Sequence, residues 1–197
     1  DAVLRDEILG LVEKLALALG DEFMLYLATL IPHMLTVLRA DRSERRQGSL
    51  KVLHAFEVFG GNLDQHLHLV VPELVQLFNL TDTHVDFRQA ALRAVGFLCR
   101  VANISDFTSR IVHPIIRVLD STDDTTIELR DDAMNTLSSL VFNVRDTYTI
   151  FIQTLKKVML RRRIQHSSYE RLVECLLKRE PFPPDAEPLY HQGGATD

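Results

Sequence analysis

VDFRQAALRAVGFLCRVA, residues 85–102, sets Leu92, Val95 and Leu98 four, seven and ten residues after Arg88. The same frame stands one interval earlier as Arg46, Leu50, Leu53 and Phe56, and an equal interval later as Arg130, Met134, Leu137 and Leu140. Upstream of each arginine, a proline interrupts an apolar helical stretch: Pro32, Pro72 and Pro114, at nearly the same spacing. A fixed period near 42 describes one supersecondary unit repeated along the chain, each copy burying its apolar face against its neighbours. Such an architecture argues against an enzyme before any catalytic motif is sought.

Apolar periodicity and boundary signals predict nine helices. The first covers about Ala2 to Leu19 and stops at Gly20, where a left-handed terminal residue is easily adopted. Asp21 is a candidate cap for the second, which ends near Ala40; a polar turn from Asp41 to Glu44 leads into the third, which ends at Gly60 and Gly61. The fourth runs from Leu63 to Leu80 and the fifth from Asp86 to Ala102. Ser105 or Asp106 is placed to cap the sixth, which ends near Asp120. Thr125 with Glu128, and Ser167 with Glu170, have capping-box spacing ahead of the seventh and ninth helices. The eighth spans Thr147 to Arg163.

A proline inside a helix loses a hydrogen bond and clashes with the preceding turn, at a cost of about 3 kcal/mol. Three prolines at matching steps therefore read as a kink built into the first helix of each pair. At the fourth unit Gln153 or Thr154 occupies that step, so a straighter helix is expected there. In the second helix of each pair, residues spaced by three drift by about 60° per step. Leu50, Leu53, Phe56 and Phe59 should then cover a broad buried face, as a helix packed between its partner and adjacent repeats requires.

The expected fold is an all-α solenoid, an α/α superhelix of about four and a half hairpins over residues 1–180, with residues 181–197 as a linker or tail. Pro181, Pro183, Pro184, Gly193 and Gly194 oppose a further repeat there. A period of about 40–47 separates HEAT and armadillo units from tetratricopeptide and ankyrin units of about 33–34. An acid in the turn before each arginine favours HEAT: Asp41 before Arg46, Asp82 before Arg88, Asp123 or Asp124 before Arg130. These are candidates for an Asp–Arg ladder between neighbouring turns, the alternative being exposed charges in polar loops.

Composition fits this reading. Of 197 residues, 46% are apolar but only 7% aromatic, with no tryptophan, so the core must be built from aliphatic side chains on helices. A net charge of −5 provides no global attraction to nucleic acid or anionic lipid. Cys99 and Cys175 lie far apart and form no disulfide framework or ligand spacing, which suits a reducing compartment. Neither a secretory leader nor an apolar run approaching the roughly 18 residues of a membrane span is apparent. The chain starts inside its apolar pattern without a methionine, and is read as a piece of a longer protein.

No catalytic constellation emerges. His66 and His68 are two apart and point about 200° away from each other on a helix, whereas a zinc helix sets its ligands four apart. His33 and His113 adjoin the prolines and read as repeat positions. The acids Asp123–Asp124 and Asp131–Asp132 lack the spaced ligands and central glycine of a calcium loop. No phosphate-cradling glycine motif or nucleophile motif occurs, so no catalytic residue, metal or cofactor is assigned. Lys156, Lys157, Arg161, Arg162 and Arg163 form the basic cluster: a contact ridge for a phosphate or an acidic partner, or a solvated helix end favourable to the helix dipole.

Several longer strings carry a resemblance. FGGNLDQHLHL (Phe59 to Leu69), SRIVHPIIRVLD (Ser109 to Asp120), AMNTLSSLVF (Ala133 to Phe142), YTIFI (Tyr148 to Ile152) and PDAEPLYHQ near the end closely resemble the middle HEAT-repeat region of the target-of-rapamycin (TOR) kinase family. Gln153 departs from that family's pattern, which has proline, and the turn from Ser121 to Thr126 is longer. The resemblance implies a parent serine/threonine kinase that controls growth in response to nutrients, with its catalytic region outside this chain. It implies a scaffold supporting the kinase dimer and the accessory subunits Raptor or Rictor. It also implies a cytoplasmic protein, peripheral on lysosomal or other endomembranes and present in the nucleus. Protein partners are expected, with no nucleic acid and no membrane insertion. The alternative from another class is a stand-alone HEAT adaptor binding a peptide or small GTPase, as in nuclear transport.

Overall fold

The computed structural model describes residues 2–43 and 46–184, with side chains from residue 7 onward. Among them are ten α-helices and no strand: α1 (Ala2–Leu19), α2 (Met24–Ala40), α3 (Gln47–Phe59), α4 (Leu67–Phe78), α5 (Val85–Val101), α6 (Thr108–Asp120), α7 (Asp124–Ile127), α8 (Arg130–Val144), α9 (Thr149–Arg162) and α10 (Ser167–Lys178). The helices form two layers. One consists of α1, α3, α5, α8 and α10, each packed on the next; the other consists of α2, α4, α6 and α9. Hairpins α2/α3, α4/α5, α6/α8 and α9/α10 join the layers, and α1 is the second helix of a half unit. Short 3-10 turns at Gly20–Phe23, Gly60–His66, Ser105–Phe107 and Arg145–Tyr148 connect one hairpin to the next.

The core runs unbroken through the stack, from Leu9 and Val12 on α1 to Leu172 and Val173 on α10. Leu92, Val95 and Leu98 are buried, as are Leu53, Phe56, Leu137 and Leu140 at equivalent steps. Leu50 departs from the expected frame at 37% exposure, while Ser49, Val52 and Ala55 turn inward. Leu50 lies in the first turn of α3, which begins at Gln47, whereas Leu92 lies well inside α5, which begins at Val85.

Pro32, Pro72 and Pro114 lie inside α2, α4 and α6. The expected seventh helix is divided: one turn, α7, fills the longer turn ahead of α8. Its cap is Asp123, whose carboxylate accepts the Thr126 N–H at 2.9 Å, so the expected Thr125–Glu128 box is replaced. His166 likewise replaces Ser167 as the cap of α10, its Nδ1 accepting the Tyr169 N–H at 3.2 Å. Neither Ser105 nor Asp106 caps α6; the Thr108 hydroxyl instead donates to the Ser105 carbonyl. At α2, Asp21 lies within the 3-10 turn and no side chain caps the helix.

Gly20 ends α1 in the left-handed region, φ +52°, as expected. α9 and α10 close the same way on arginines: Arg163 and Arg179 have φ of +54° and +55°. The next residue's N–H then reaches back to a last-turn carbonyl, Ile164 to Met159 and Glu180 to Cys175, both at 2.9 Å. Past α10, Phe182 folds back to stack on Phe142, 5.5 Å between centroids, under the Arg145 guanidinium. The expected tail and its TOR-like string fall, from residue 185 on, outside the described residues.

One expectation of composition needs correction. The helical stretch Glu7–Ala40 contains an 18-residue window with mean hydropathy 1.5, long and apolar enough by that measure to cross a membrane. Gly20 and its 3-10 turn interrupt the stretch, and one side of it joins the core through Leu9, Val12, Leu27, Ile31 and Leu38. The other side leaves Leu17 and Leu25 exposed.

Candidate functional site

The first three hairpins each present a polar turn ahead of the second helix, and the three turns differ. In the first, Asp41 is buried; Oδ1 accepts the Ser43 N–H and hydroxyl, at 3.1 and 2.6 Å, and Oδ2 accepts those of Ser49, both at 3.0 Å. Burial pushes the Asp41 carboxyl up, but these four donors outweigh it and hold the group below its ordinary range. Arg46, 9% exposed, lays its guanidinium 5.0 Å above the Phe87 ring of the following unit. In the second turn Asp82 is exposed, while Arg88 is 1% exposed. Arg88 Nε donates to the Phe78 carbonyl and Nη2 to the Thr126 hydroxyl, each at 3.1 Å. Burial lowers the Arg88 pKa, opposed by the charge of Asp123. In the third turn Asp123 binds Thr125 and Thr126, and Arg130 Nη2 donates to the Ser121 carbonyl at 2.8 Å.

The aspartates therefore organise their own turns, and Arg46 and Arg88 reach into the next unit. The physical reason is reach. A short carboxylate is satisfied by N–H and hydroxyl donors close by in its own turn, while a long guanidinium spans the gap between helices.

A second set of polar contacts crosses between units at nearly one repeat's separation. Arg93 Nε pairs with Asp132 at 2.7 Å, and Gln89 Nε2 donates to the Glu128 carbonyl at 3.2 Å. The Asn103 N–H donates to Asp64 Oδ1 at 2.9 Å, the Thr136 hydroxyl to the Leu92 carbonyl at 3.3 Å, and Asn143 Nδ2 to the Ala102 carbonyl at 3.3 Å. Reading the turns alone missed this set, because its members sit at unrelated steps of the repeat. Only the 39-residue interval shared by Arg93–Asp132, Gln89–Glu128 and Asp64–Asn103 hints at it in the sequence.

The basic cluster divides. Arg161 Nη2 and Arg162 Nε clasp the two oxygens of Asp120 at 2.6 and 2.8 Å, tying α9 to the end of α6. The Arg162 and Arg161 partners hold the Asp120 carboxyl below its ordinary range. Lys156, Lys157 and Arg163 are exposed. Nearby, α9 and α10 border an apolar groove of about 570 Å³ containing Met159, Leu160, Val173 and Leu177. Among the described residues no group of three or more His, Cys, Asp or Glu side chains has the arrangement to hold a metal. Cys99 is buried, which pushes its thiol pKa up and away from nucleophilic use.

Residues 10–174 match a protein family described as "Stalled ribosome sensor GCN1-like, HEAT repeats". Among curated proteins, the chain is 38% identical over 178 residues to the serine/threonine-protein kinase tor1 of Schizosaccharomyces pombe, covering 90% of this chain and 8% of that protein. It is 37% identical over 170 residues to the kinase mTor of Drosophila melanogaster, covering 86% and 7%. Against the kinase TOR of Arabidopsis thaliana it is 36% identical over 176 residues, covering 89% and 7%. The chain thus spans less than a tenth of the length of these relatives. With paired helices in two layers, a period near 42 and a family match across most of its length, the chain belongs to the HEAT-repeat family and is homologous to a HEAT-repeat segment of TOR serine/threonine kinases.

Proposed function

We propose that this chain is a non-catalytic scaffold segment of a TOR-like, nutrient-responsive serine/threonine kinase, acting in the cytoplasm and on endomembrane surfaces. In this reading it holds distant parts of the kinase, a second kinase copy and accessory subunits of the Raptor or Rictor type in register. The observation that carries the reading is similarity over 86–90% of the chain to kinases of which it spans only 7–8%. Contacts from one unit to the next, such as Arg88–Thr126 and Arg93–Asp132, suit a part that works by keeping its shape. Exposed apolar side chains at both ends of the stack, Leu17 and Leu25 at one and Ile150 and Leu160 at the other, suit neighbours in a longer solenoid.

The exposed part of the basic ridge provides the test. Lys156, Lys157 and Arg163 are replaced by glutamate in the full-length kinase, leaving the Arg161 and Arg162 clasp on Asp120 intact. Recovery of Raptor or Rictor, or of the kinase dimer, is expected to fall while the protein remains folded. Normal assembly would return the ridge to the solvated helix end. A separately purified catalytic domain lacks these residues, so its activity is expected to be the same in either case.

A further inference from the structure

The two ends of the stack are unlike. One is the lone helix α1, whose Leu9, Val12 and Ala16 join the core while Ile8, Leu11 and Leu15 are 52%, 56% and 41% exposed. Spaced by three and four residues, these exposed side chains share one helix face beside the core-facing stripe. The other end is the hairpin α9/α10, which opens into the apolar groove of about 570 Å³. The buried Met159 and Val173 line it, together with Leu160 and Leu177, which are 83% and 53% exposed.

Charge separates the ends as well. Residues 1–23 carry six acids and two bases, whereas residues 149–180 carry eight bases and three acids. Arg161 and Arg162 are engaged with Asp120, and Lys178 with Glu174. Lys156, Lys157 and Arg163 remain exposed at the basic end, and Glu7, Asp21 and Glu22 at the acidic one. The minority charges are also of opposite sign: Lys14 is exposed on α1, and Glu170 borders the groove. An acidic surround suits the α1 stripe to a basic protein surface and not to an anionic lipid leaflet.

The packing inside the stack shows how such faces meet. α1, α3, α5, α8 and α10 form one row, each helix packed on the next, so α1 and α10 are its two ends. A second copy's α10 set beside α1 continues that row by the same helix-on-helix packing.

We propose that the two ends fit each other: α1 of one copy docks on the α9/α10 groove of another, and copies of this chain join head to tail. Ile8, Leu11 and Leu15 enter the groove against Leu160 and Leu177, and the acidic end of one copy faces the basic end of the next. The contact is heterologous, so each assembly retains a free α1 at one end and a free groove at the other. It does not depend on the scaffold role proposed above, because it needs only the two ends of this chain.

Sedimentation velocity of the full chain, followed as its concentration rises, tests the contact. The unmodified chain is expected to form dimers and longer species that added salt disperses, since the charges are exposed. Leu11→Lys and Leu160→Glu each alter an exposed side chain, and each is expected to weaken association by about tenfold or more, the effect of losing a well-packed contact residue. Mixed in equal amounts, the two variants should pair one to one and grow no further, because one retains the groove and the other retains α1. Circular dichroism checks the helix content of each variant, and Leu15→Lys with Leu177→Glu replaces any that has lost it. A chain that stays monomeric overturns the proposal, as does association that salt leaves unchanged. Persistent self-association of Leu160→Glu would assign the contact to α1 against α1, and that of Leu11→Lys to groove against groove; either result overturns it. So does a mixture of the two variants that stays monomeric, or capture of the chain by vesicles of phosphatidylserine in phosphatidylcholine without self-association.

Discussion

Arg46 and Arg88 hold the same step in successive repeats, and both are largely sealed from solvent, yet they are satisfied differently. Thr126, in the unit after Arg88, offers it a hydroxyl; the matching position in the unit after Arg46 is His84, whose Nδ1 accepts the Asp86 N–H at 3.4 Å. Slightly further along, at Phe87 and Leu129, the choice reverses. Arg46 has the aromatic face of Phe87, whereas Arg88 has the aliphatic Leu129 at that step. Arg88 thus joins its hairpin to the next by a directional hydrogen bond, and Arg46 does so by a looser cation–π contact. A repeat keeps the position of an arginine while its neighbour decides what the arginine does.

The largest effect expected from this contrast lies under the arginines, in the frames that follow them. Leu92→Ala empties a site of 0% exposure and should destabilise the fold by about 2–5 kcal/mol. Leu50→Ala, one repeat earlier at 37% exposure, should cost clearly less, about 1 kcal/mol. Urea unfolding of both variants measures the difference, and equal losses would mean that α3 presents the same face as α5.

The arginines themselves should follow at a smaller scale. Arg88→Ala leaves the Phe78 carbonyl and the Thr126 hydroxyl without their donor, a loss of about 1–3 kcal/mol. Arg46→Ala removes a ring contact worth about 0.5–1 kcal/mol. If His84→Thr makes the Arg46→Ala loss approach that of Arg88→Ala, the neighbour's residue, and not the local turn, sets the difference.

The comparison extends to the last turn, where His166 combines a cap with a contact between units. Its Nδ1 accepts the Tyr169 N–H and its Nε2 lies 3.2 Å from Asn135 Oδ1, an arrangement that fits the neutral ring donating from Nε2. Burial lowers its pKa, outweighing the opposing pull of Asp131 and Glu170. A depressed folded-state pKa makes this contribution complete above the unfolded value of about 6.5 and lost as pH falls through the lower folded value. The unfolding midpoint should therefore drop below about pH 6.5. His166→Asn, which retains a capping oxygen, should flatten that part of the profile. An identical pH profile in the variant would remove His166 from the account.

The smallest effect is expected at the clasp of Arg161 and Arg162 on Asp120. Both arginines retain solvent access, so Asp120→Asn should shift stability slightly and lose even that shift in high salt. A salt-independent loss would assign the clasp a structural weight like that of Arg88.

The sequence by itself determined the repeat: the recurring frame of arginine and apolar residues, the prolines within α2, α4 and α6, and the four and a half hairpins all follow from periodicity, which is a local property of the chain. It also made the TOR-like strings legible. It did not determine the caps at Asp123 and His166, the exposure of Leu50, or the choice of partners for Arg46 and Arg88. Each depends on where a side chain falls in space, and on which group of a neighbouring unit stands there. That placement is set by how two hairpins pack, through residues a full repeat away in the chain, and only the tertiary structure brings them together.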